Sequence, residues 1–454
     1  MKKFVSVILV FFMLLIIFSA CEKNSVDDIE LNTTDETVRD MNGAVLSVCT
    51  RWANQFYAEV GFSYLGDKQL ERYAEAKEKY NFDVNFYDEP NPQTHILQTI
   101  AGQQDVPDVL DTEALNAYPL YKQDILIPID DIKTIDLSLT RWGPETFRRY
   151  GMFGGRPFGV YYYDWEDVPH YAGVIMFNYE LMLKMGETVS PYEMQEQGIW
   201  LWDNFKELIT KYTTTFNEVA LTGLGVLNPD YYLKTAIFSN GGEIVTLRDG
   251  KYICALDSNE AMAGMEFAAS LYKEKIAKNA TLPDFVKGLY VFLYSESWQG
   301  TVMSETAKAE NRPIYSMDNY GFMPFPNSPN VPYKNSSSFV HSNRRLLWVI
   351  NGSEDEPDDV GYMMDKIFSP LPGDKAEAWK DYAEEVVFLH PEGCANYINM
   401  VENVKYDYST ELDNQRTKIN ETFNAIAIGT RPVATGVESI YELINTLLDQ
   451  EMNS

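Results

Sequence analysis

Hydrophobic and polar positions follow two different rhythms along the chain, one typical of strands and the other of helices. Phe82, Val84 and Phe86 alternate with polar residues, as expected for a half-buried strand, whereas residues 67–80 carry apolar side chains near helical spacing. Strands and helices that alternate in this way predict a parallel sheet covered by helices. The predicted strands are residues 44–50, 82–86, 106–110, 173–177, 221–226 and 290–294, and the predicted helices are residues 67–80, 91–103, 113–123, 179–185, 201–212, 231–239 and 257–275.

The alternating pattern is interrupted once, which predicts two α/β units. Residues 143–159 are rich in Gly, Pro and Arg, and a second series of strands and helices follows them. In that second series, Asp257 and Glu260 resemble a capping box at the start of a helix. A chain of 454 residues is long enough for two or three domain-sized units.

The N-terminal segment is typical of a signal peptide. Lys2 and Lys3 precede an apolar run at residues 7–18, which is short for a membrane-spanning helix. Phe18-Ser19-Ala20-Cys21 resembles a bacterial lipobox, which implies cleavage after residue 20 and a diacylglyceryl anchor on Cys21. Residues 21–43 are then expected to form a flexible tether outside the cytoplasmic membrane. An ordinary signal peptide with an incidental cysteine is the alternative.

Charge and cysteine content exclude several classes of function. The net charge of −30 argues against nucleic acid as a partner, because phosphates require lysine and arginine. Cys49, Cys254 and Cys394 show no C-x-x-C spacing, so at most one disulfide can form among them, and we predict buried single thiols. The four histidines are isolated in the sequence, and no nucleotide-binding loop is present. We therefore predict neither a metal site nor a cofactor.

Seven short segments carry a resemblance to a known family. They are residues 100–103 (IAGQ) with 107–110 (PDVL), 121–130 (YKQDILIPID), 155–160 (GRPFGV), 177–181 (FNYEL), 202–205 (WDNF), 239–242 (SNGG) and 320–326 (YGFMPFP). In this order and spacing they are similar to segments of the family 1 extracellular solute-binding proteins, the group that includes maltose-binding protein. The resemblance covers most of the chain after the predicted signal peptide.

The resemblance implies an α/β fold of two lobes, the periplasmic-binding-protein or Venus flytrap fold. Each lobe would be a mostly parallel sheet flanked by helices, and the ligand would lie in the cleft between the lobes, beyond the carboxyl ends of the strands. The chain would cross between the lobes near residues 159–162, 320–326 and 368–373. The N-terminal lobe would contain residues 44–158 and 323–368, and the C-terminal lobe residues 162–320 and 372–454.

The resemblance also implies a function. A protein of this family is the substrate-binding subunit of an ABC importer, captures a small solute by hinge closure and presents it to the permease membrane subunits. We expect a monomer that is not an enzyme, and a mono- or oligosaccharide as the solute.

Several side chains are candidates for contact with a sugar, which offers hydroxyl groups and apolar faces. Trp298 and Tyr231 occupy positions where the family places aromatic contacts. Asp111 and Glu113 follow an apolar strand at its carboxyl end, although an N-cap and a first-turn acid would produce the same pattern. The remaining candidates lie near the predicted cleft, where a packed hinge is the alternative for the aromatic residues; they are Trp52, Tyr163, Trp165 and Asp230.

Three other functions remain open on the sequence alone. Asp111, Glu113 and Asp230 would also suit a cationic solute such as a polyamine. A glycosidase would need two carboxylates on either side of a scissile bond, and the acids at residues 164, 166 and 167 are a weak candidate pair. A purely structural surface protein is the third alternative.

Overall fold

The computed structural model describes residues 38–56, 60–61, 64–139, 142–143, 145–162, 169–302, 319–331, 337–340, 345–353, 355–368, 378–412 and 416–453. The predicted signal peptide, Cys21 and most of the predicted tether lie outside these residues, as do the two candidate ligand contacts Tyr163 and Trp165. None of the helices within the described ranges has the length and apolar content that a membrane crossing requires.

The strands that the sequence pattern predicts are present, with additional short strands between them. In chain order they are β1 (Ala44–Thr50), β2 (Phe82–Asp88), β3 (Val109–Glu113), β4 (Met152–Phe153), β5 (Arg156–Pro157), β6 (Gly159–Val160), β7 (Ala172–Asn178), β8 (Thr215–Phe216), β9 (Val219–Ala220), β10 (Thr222–Val226), β11 (Val245–Arg248), β12 (Lys251–Cys254), β13 (Ala277–Asn279), β14 (Tyr290–Glu296), β15 (Tyr320–Pro324) and β16 (Arg345–Val349).

Two five-stranded sheets organise these strands. The first sheet has the order β2-β1-β3-β16-β6, and the second has the order β13-β10-β14-β7-β15. In the first sheet β16 runs antiparallel to both of its neighbours, and in the second sheet β7 does the same. Each sheet is therefore mixed but mostly parallel, because four of its five strands run in one direction and one is reversed.

The reversed strands have a common origin. β7 is the first strand formed after the chain leaves the first sheet, and β16 is the first strand formed after it returns from the second. Each of them therefore starts at the edge of the sheet where the other strands end. Hydrophobic alternation carries no information on strand direction, so the sequence pattern did not distinguish these strands from their neighbours.

Helices flank both sheets, and each of the seven predicted helices begins within three residues of an observed one. They are α1 (Tyr64–Lys79), α2 (Pro92–Ala101), α3 (Ala114–Tyr121), α4 (Glu145–Arg148), α5 (Tyr179–Lys184), α6 (Pro191–Glu196), α7 (Trp202–Tyr212), α8 (Pro229–Ser239), α9 (Asn259–Lys273), α10 (Leu282–Val286), α11 (Trp298–Val302), α12 (Pro357–Phe368), α13 (Ala378–Tyr382), α14 (Pro391–Glu402), α15 (Arg416–Ala427) and α16 (Val433–Glu451). The helix α9 is capped by Ser258, whose side chain accepts a hydrogen bond from the backbone N–H of Ala261, and not by Asp257.

Two described residues between β15 and β16 contact the second sheet. The backbone N–H of Phe325 donates to the carbonyl of Gly173, and Phe339 forms a bridge with Ala172. The second segment of the predicted N-terminal lobe began at residue 323, whereas these contacts place Phe325 and Phe339 against the second sheet. The division of the chain into two lobes by residue range remains a prediction.

The buried core supports the sequence-based prediction for the cysteines and contains a fully buried tryptophan. Cys49, Cys254 and Cys394 are buried free thiols, as predicted, and burial raises the pKa of Cys49 and Cys254 to about 12 and that of Cys394 to about 11. Trp348 in β16 is fully buried and stacks on Phe153 with ring centroids 5.2 Å apart.

Candidate functional site

A buried carboxylate organises the edge of the first sheet where β1 and β3 end. Asp111 in β3 has no exposed surface. Its oxygens accept hydrogen bonds from the hydroxyl of Thr50 at 2.6 Å and from the hydroxyl of Tyr162 at 3.1 Å, and the guanidinium of Arg345 lies 2.9 Å away. A buried carboxylate needs partners of this kind to offset its loss of hydration. Asp111 itself has no surface for a ligand, but it positions the guanidinium of Arg345, which is partly exposed. We name Thr50, Trp52, Asp111, Tyr162 and Arg345 the first-sheet cluster.

Trp52 lies above this ion pair and is half-buried. The guanidinium carbon of Arg345 lies 4.7 Å from the centroid of its ring, and that of Arg51 lies 5.2 Å from it. Both distances are within the range of cation–π attraction. The aromatic ring of Trp52, a candidate for sugar contact, therefore has two guanidinium groups within cation–π distance.

The position of Asp111 and Glu113 differs from the sequence-based expectation. The predicted strand ended at residue 110, which would have placed Asp111 just after the strand and Glu113 at the start of the predicted helix 113–123. Strand β3 instead extends to Glu113, because β16 pairs with it and places Arg345 opposite Glu113 and Leu347 opposite Asp111. Glu113 is half-buried, and its carboxylate accepts a hydrogen bond from the amide of Asn116 at 2.7 Å. It precedes α3, but its side chain makes no capping hydrogen bond.

A second polar cluster lies at the edge of the second sheet where β10 and β14 end. Glu296, the last residue of β14, is 7% exposed and accepts a hydrogen bond from the indole N–H of Trp298 at 3.0 Å. It also accepts one from the side-chain amide of Asn228, which directly precedes α8. Trp298 itself is 38% exposed. These contacts fix the orientation of an indole ring that still presents surface to solvent.

Asp230 and Tyr231 belong to the first turn of α8, next to Asn228. Burial raises the pKa of the Asp230 carboxyl above its usual value, and Lys234 opposes this shift. Tyr231 is 9% exposed and packs edge-on against Phe339, with ring centroids 5.6 Å apart. Tyr231 therefore offers less surface to a ligand than Trp298 does. We name Asn228, Asp230, Tyr231, Glu296 and Trp298 the second-sheet cluster.

Sequence analysis found two of the five residues of the first-sheet cluster and three of the five residues of the second-sheet cluster. The residues that were not among the candidates are Thr50, Tyr162, Arg345, Asn228 and Glu296. Glu296 stands at the end of an apolar strand, so the rule that selected Asp111 and Glu113, contact at the carboxyl end of a strand, could have located it as well. Arg345 had no local signal, because its role depends on the reversed direction of β16.

Metal ligation has no support among the residues that the structure describes. No group of three or more His, Cys, Asp or Glu side chains in those ranges is placed to hold a metal ion. The polar atoms of both clusters are instead hydrogen-bond donors and acceptors, with charged groups on each sheet.

Comparison with solved structures identifies the fold. The GacH receptor of Streptomyces glaucescens, solved without ligand and with acarbose, is 15% identical to this chain, with a TM-score of 0.57, and covers 90% of this chain and 99% of its own. The cyclic alpha-maltosyl-1,6-maltose binding protein of Arthrobacter globiformis is 14% identical, with a TM-score of 0.60 and coverage of 90% and 100%. UgpB of Mycobacterium tuberculosis, solved with glycerophosphocholine, is 14% identical, with a TM-score of 0.60 and coverage of 90% and 99%.

At these identities the similarity establishes the two-lobed α/β fold, as predicted. No family model matches the chain, and no curated protein matches it by sequence.

Proposed function

We propose that this protein is the substrate-binding subunit of an ABC importer and that its solute is a mono- or oligosaccharide. The proposal is supported by the fold, which is shared with receptors whose structures contain acarbose or are described as binding a cyclic maltosaccharide. It is a binding function without turnover. The two clusters would line the cleft between the lobes, since ligands of open α/β sheets bind beyond the carboxyl ends of the strands.

The observation that carries the proposal is the arrangement of Trp298 and Glu296. A sugar binds well to an aromatic face that covers its C–H groups, beside a carboxylate that accepts its hydroxyl hydrogens. The hydrogen bond from Trp298 to Glu296 orients the ring before a ligand arrives, which reduces the entropy lost on binding. Asn228 adds an amide beside the same carboxylate.

The first-sheet cluster would supply the opposite wall of the cleft. Arg345 is a hydrogen-bond donor with 14% of its side chain exposed, and hydroxyl oxygens are suitable acceptors for it. Closure of the lobes would bring this donor group toward the acceptor group around Glu296. A ligand that contacts both walls binds the closed state more tightly, and this difference in affinity drives closure.

A thermal-shift screen of the purified chain tests the proposal. Mono- and oligosaccharides, polyamines and amino acids would be added separately, and a ligand at a hundredfold excess over its Kd stabilises by about 2.7 kcal/mol. We expect a rise in melting temperature with one group of saccharides, with no release of hydrolysed product. Stabilisation by none of them would reject the sugar assignment, and product release would indicate a glycosidase.

A cationic solute is the second candidate, and one observation favours it. Asp230 and Glu296 are neighbouring acids of the second-sheet cluster, and two carboxylates side by side would bind an ammonium group. Against it, the carboxylate of Asp111 is already paired with Arg345. Stabilisation by polyamines that weakens steeply with added salt would support this alternative, because sugar binding is nearly independent of salt.

The lipid anchor is a separate part of the proposal and rests on the lipobox-like segment before Cys21. We propose that the anchored protein lies on the outer face of the cytoplasmic membrane and delivers its ligand to permease subunits there. Expression of the full chain should place it in the membrane fraction, and Cys21→Ser should release it or leave it unprocessed. Equal detergent partitioning of the two forms, with the signal peptide removed from both, would contradict anchoring at Cys21.

A further inference from the structure

Residues 149–150 and 406–408 connect the two halves of the molecule away from both polar clusters. The guanidinium of Arg149 donates a hydrogen bond to the hydroxyl of Tyr408 at 2.8 Å. The rings of Tyr150 and Tyr406 pack edge to face with centroids 4.7 Å apart. These are two adjacent side-chain contacts between segments more than 250 residues apart in the chain.

The first of these segments is attached to the first sheet. Arg149 and Tyr150 lie in a short turn that leads into β4, where Phe153 stacks on the buried Trp348 of β16. The carbonyl of Gly151 accepts a hydrogen bond from the backbone N–H of Phe158, next to β6. The turn is therefore fixed to the first sheet on two sides.

The second segment, residues 406–408, is attached to α8, the helix that carries Asp230 and Tyr231 of the second-sheet cluster. Asp407 forms an ion pair with Lys234 of α8 at 2.8 Å, and both side chains are almost completely buried, at 1% and 3% exposed. Ser409 donates to the same carboxylate at 2.6 Å, and Lys234 holds the pKa of Asp407 below its usual value. Since Lys234 is one helical turn after Asp230, this ion pair fixes the helix that carries Asp230 and Tyr231.

The same region adjoins the segment by which the chain returns to the first sheet. The hydroxyl of Tyr150 donates to the carbonyl of Val340 at 2.6 Å. Lys405 exchanges backbone hydrogen bonds with this segment, through the carbonyl of Ser338 and the N–H of Val340. Beyond Val340 the next described element is β16, so these contacts lie beside a crossing between the sheets.

We propose that Arg149, Tyr150, Tyr406, Asp407 and Tyr408 form a hinge brace that couples the position of the ligand helix α8 to the angle between the lobes. They are positioning residues, because they reach the site through α8 and do not belong to either polar cluster. The inference deepens the proposed function, since it assigns the control of closure at that site.

The hinge brace combines a strong contact, the Lys234–Asp407 ion pair, with a weak one, the Arg149–Tyr408 hydrogen bond. Such a combination allows the lobes to move while α8 stays attached to residues 406–408. A buried ion pair with additional hydrogen bonds is expensive to break by removal of one partner. The Arg149–Tyr408 hydrogen bond is solvent-exposed and contributes little, so it can break and reform as the lobes move. A cavity of about 390 Å³ beside it is lined from both sides, by Glu145 and Arg149 and by Phe238, Lys405 and Tyr408. The two sides thus have room to move around the brace.

Spin-label distances between the lobes test the brace. Labels would be placed at Lys133→Cys and Lys184→Cys, whose side chains are 86% and 61% exposed, in the full chain with Cys21→Ser. The three remaining cysteines are buried and should stay unlabelled. Without ligand, Tyr408→Phe should change the population ratio of the distance distribution about two- to fivefold, with an unchanged melting temperature.

Tyr272→Phe is the matched control, because the hydroxyl of Tyr272 also makes a single exposed hydrogen bond, to Asn279 in the same half of the molecule. Asp407→Asn weakens the attachment of α8 to residues 406–408 and should change the distance distribution in the same way as Tyr408→Phe. In the double variant, Tyr408→Phe should add little to the effect of Asp407→Asn. If Tyr408→Phe gives the same distribution as Tyr272→Phe, the brace is rejected, whether or not Asp407→Asn folds. The measurement needs no ligand, so failure to bind any sugar would reject the proposed function and not the brace.

Discussion

The two polar clusters contain similar residues, but the buried carboxylate of each cluster is stabilised by a different kind of partner. In the first-sheet cluster, Asp111 is fully enclosed and is neutralised by Arg345, which in turn covers the ring of Trp52. In the second-sheet cluster, Glu296 receives neutral donors, the indole N–H of Trp298 and the amide of Asn228. Asp230, the acid next to Glu296, is influenced by the charge of Lys234, but Lys234 forms its ion pair with Asp407.

This difference concerns the partners of the two buried acids. Arg51 and Arg345 lie beside Asp111 and Glu113 on the first sheet, whereas the carboxylate of Glu296 on the second sheet receives the neutral donors of Trp298 and Asn228. It also separates two roles for tryptophan, since Trp52 is held under guanidinium groups and Trp298 keeps 38% of its surface exposed. We infer that the first edge mainly contributes a rigid donor and the second edge the aromatic surface.

The largest expected effect is on stability, from Arg345→Met. It leaves the buried carboxylate of Asp111 without its cation, which should lower the free energy of unfolding by about 3 kcal/mol. Urea denaturation measures this change. Arg51→Met is the matched control, because Arg51 also lies over Trp52 but is exposed, and it should cost less than about 0.5 kcal/mol. Equal losses in the two variants would remove the distinction between the clusters.

The next effect is on ligand binding, from Trp298→Ala. Loss of an aromatic platform typically costs about 2 kcal/mol, or roughly thirtyfold in Kd, which calorimetry with the stabilising saccharide measures. Trp202→Ala is the control, because Trp202 is a half-buried tryptophan with its own N–H hydrogen bond, to Ser239, and with its ring stacked on Phe267. If both variants bind the saccharide as the unaltered protein does, Trp298 is not the platform.

Two acids near α8 should give opposite pH dependence of stability. Burial raises the pKa of Asp230 above 3.8 in the folded protein. The contribution of Asp230 to the free energy of unfolding is therefore present below pH 3.8 and is lost as the pH rises through the folded pKa. Lys234 lowers the pKa of Asp407, so its contribution is present above 3.8 and is lost as the pH falls through the folded pKa. Asp230→Asn should therefore not reduce stability at pH 7, whereas Asp407→Asn should reduce it.

Denaturant titrations at several pH values between 3 and 7 follow both variants. The difference between Asp407→Asn and the unaltered protein should shrink toward the acid end of this range. A loss of stability in Asp230→Asn at pH 7 that matches the loss in Asp407→Asn would contradict the assignment of Asp230 as an acid penalised by burial.

The smallest expected effect comes from Trp52→Leu. Removing the cation–π contact with Arg345 should lower the free energy of unfolding by about 0.5 to 1 kcal/mol. A double-mutant cycle with Arg345→Met isolates this interaction, since Trp52→Leu should cost less in a protein that already lacks the guanidinium group. Strictly additive losses would show that the two side chains do not stabilise each other.

Local patterns in the sequence were sufficient for much of the fold. The strand at Ala44–Thr50 was predicted with its observed limits, because its residues are apolar and favour extended backbone. Trp298 was a candidate because it follows a predicted strand at a position where the resembled family places an aromatic contact. Burial of the three cysteines followed from their spacing and surroundings. These features depend on a few consecutive residues, which is the range over which hydrophobic periodicity is informative.

The tertiary structure alone decided how these elements meet. Strand β3 extends to Glu113 because β16 pairs with it, and Arg345 reaches Asp111 across 234 positions of the chain. Lys234 and Asp407 form their buried pair across 173 positions. The sequence by itself determined which segments are strands and helices, where each cysteine is buried and where Trp298 would stand. Strand direction and ion pairing required the tertiary structure, because they arise from contacts between segments with no local signature of each other.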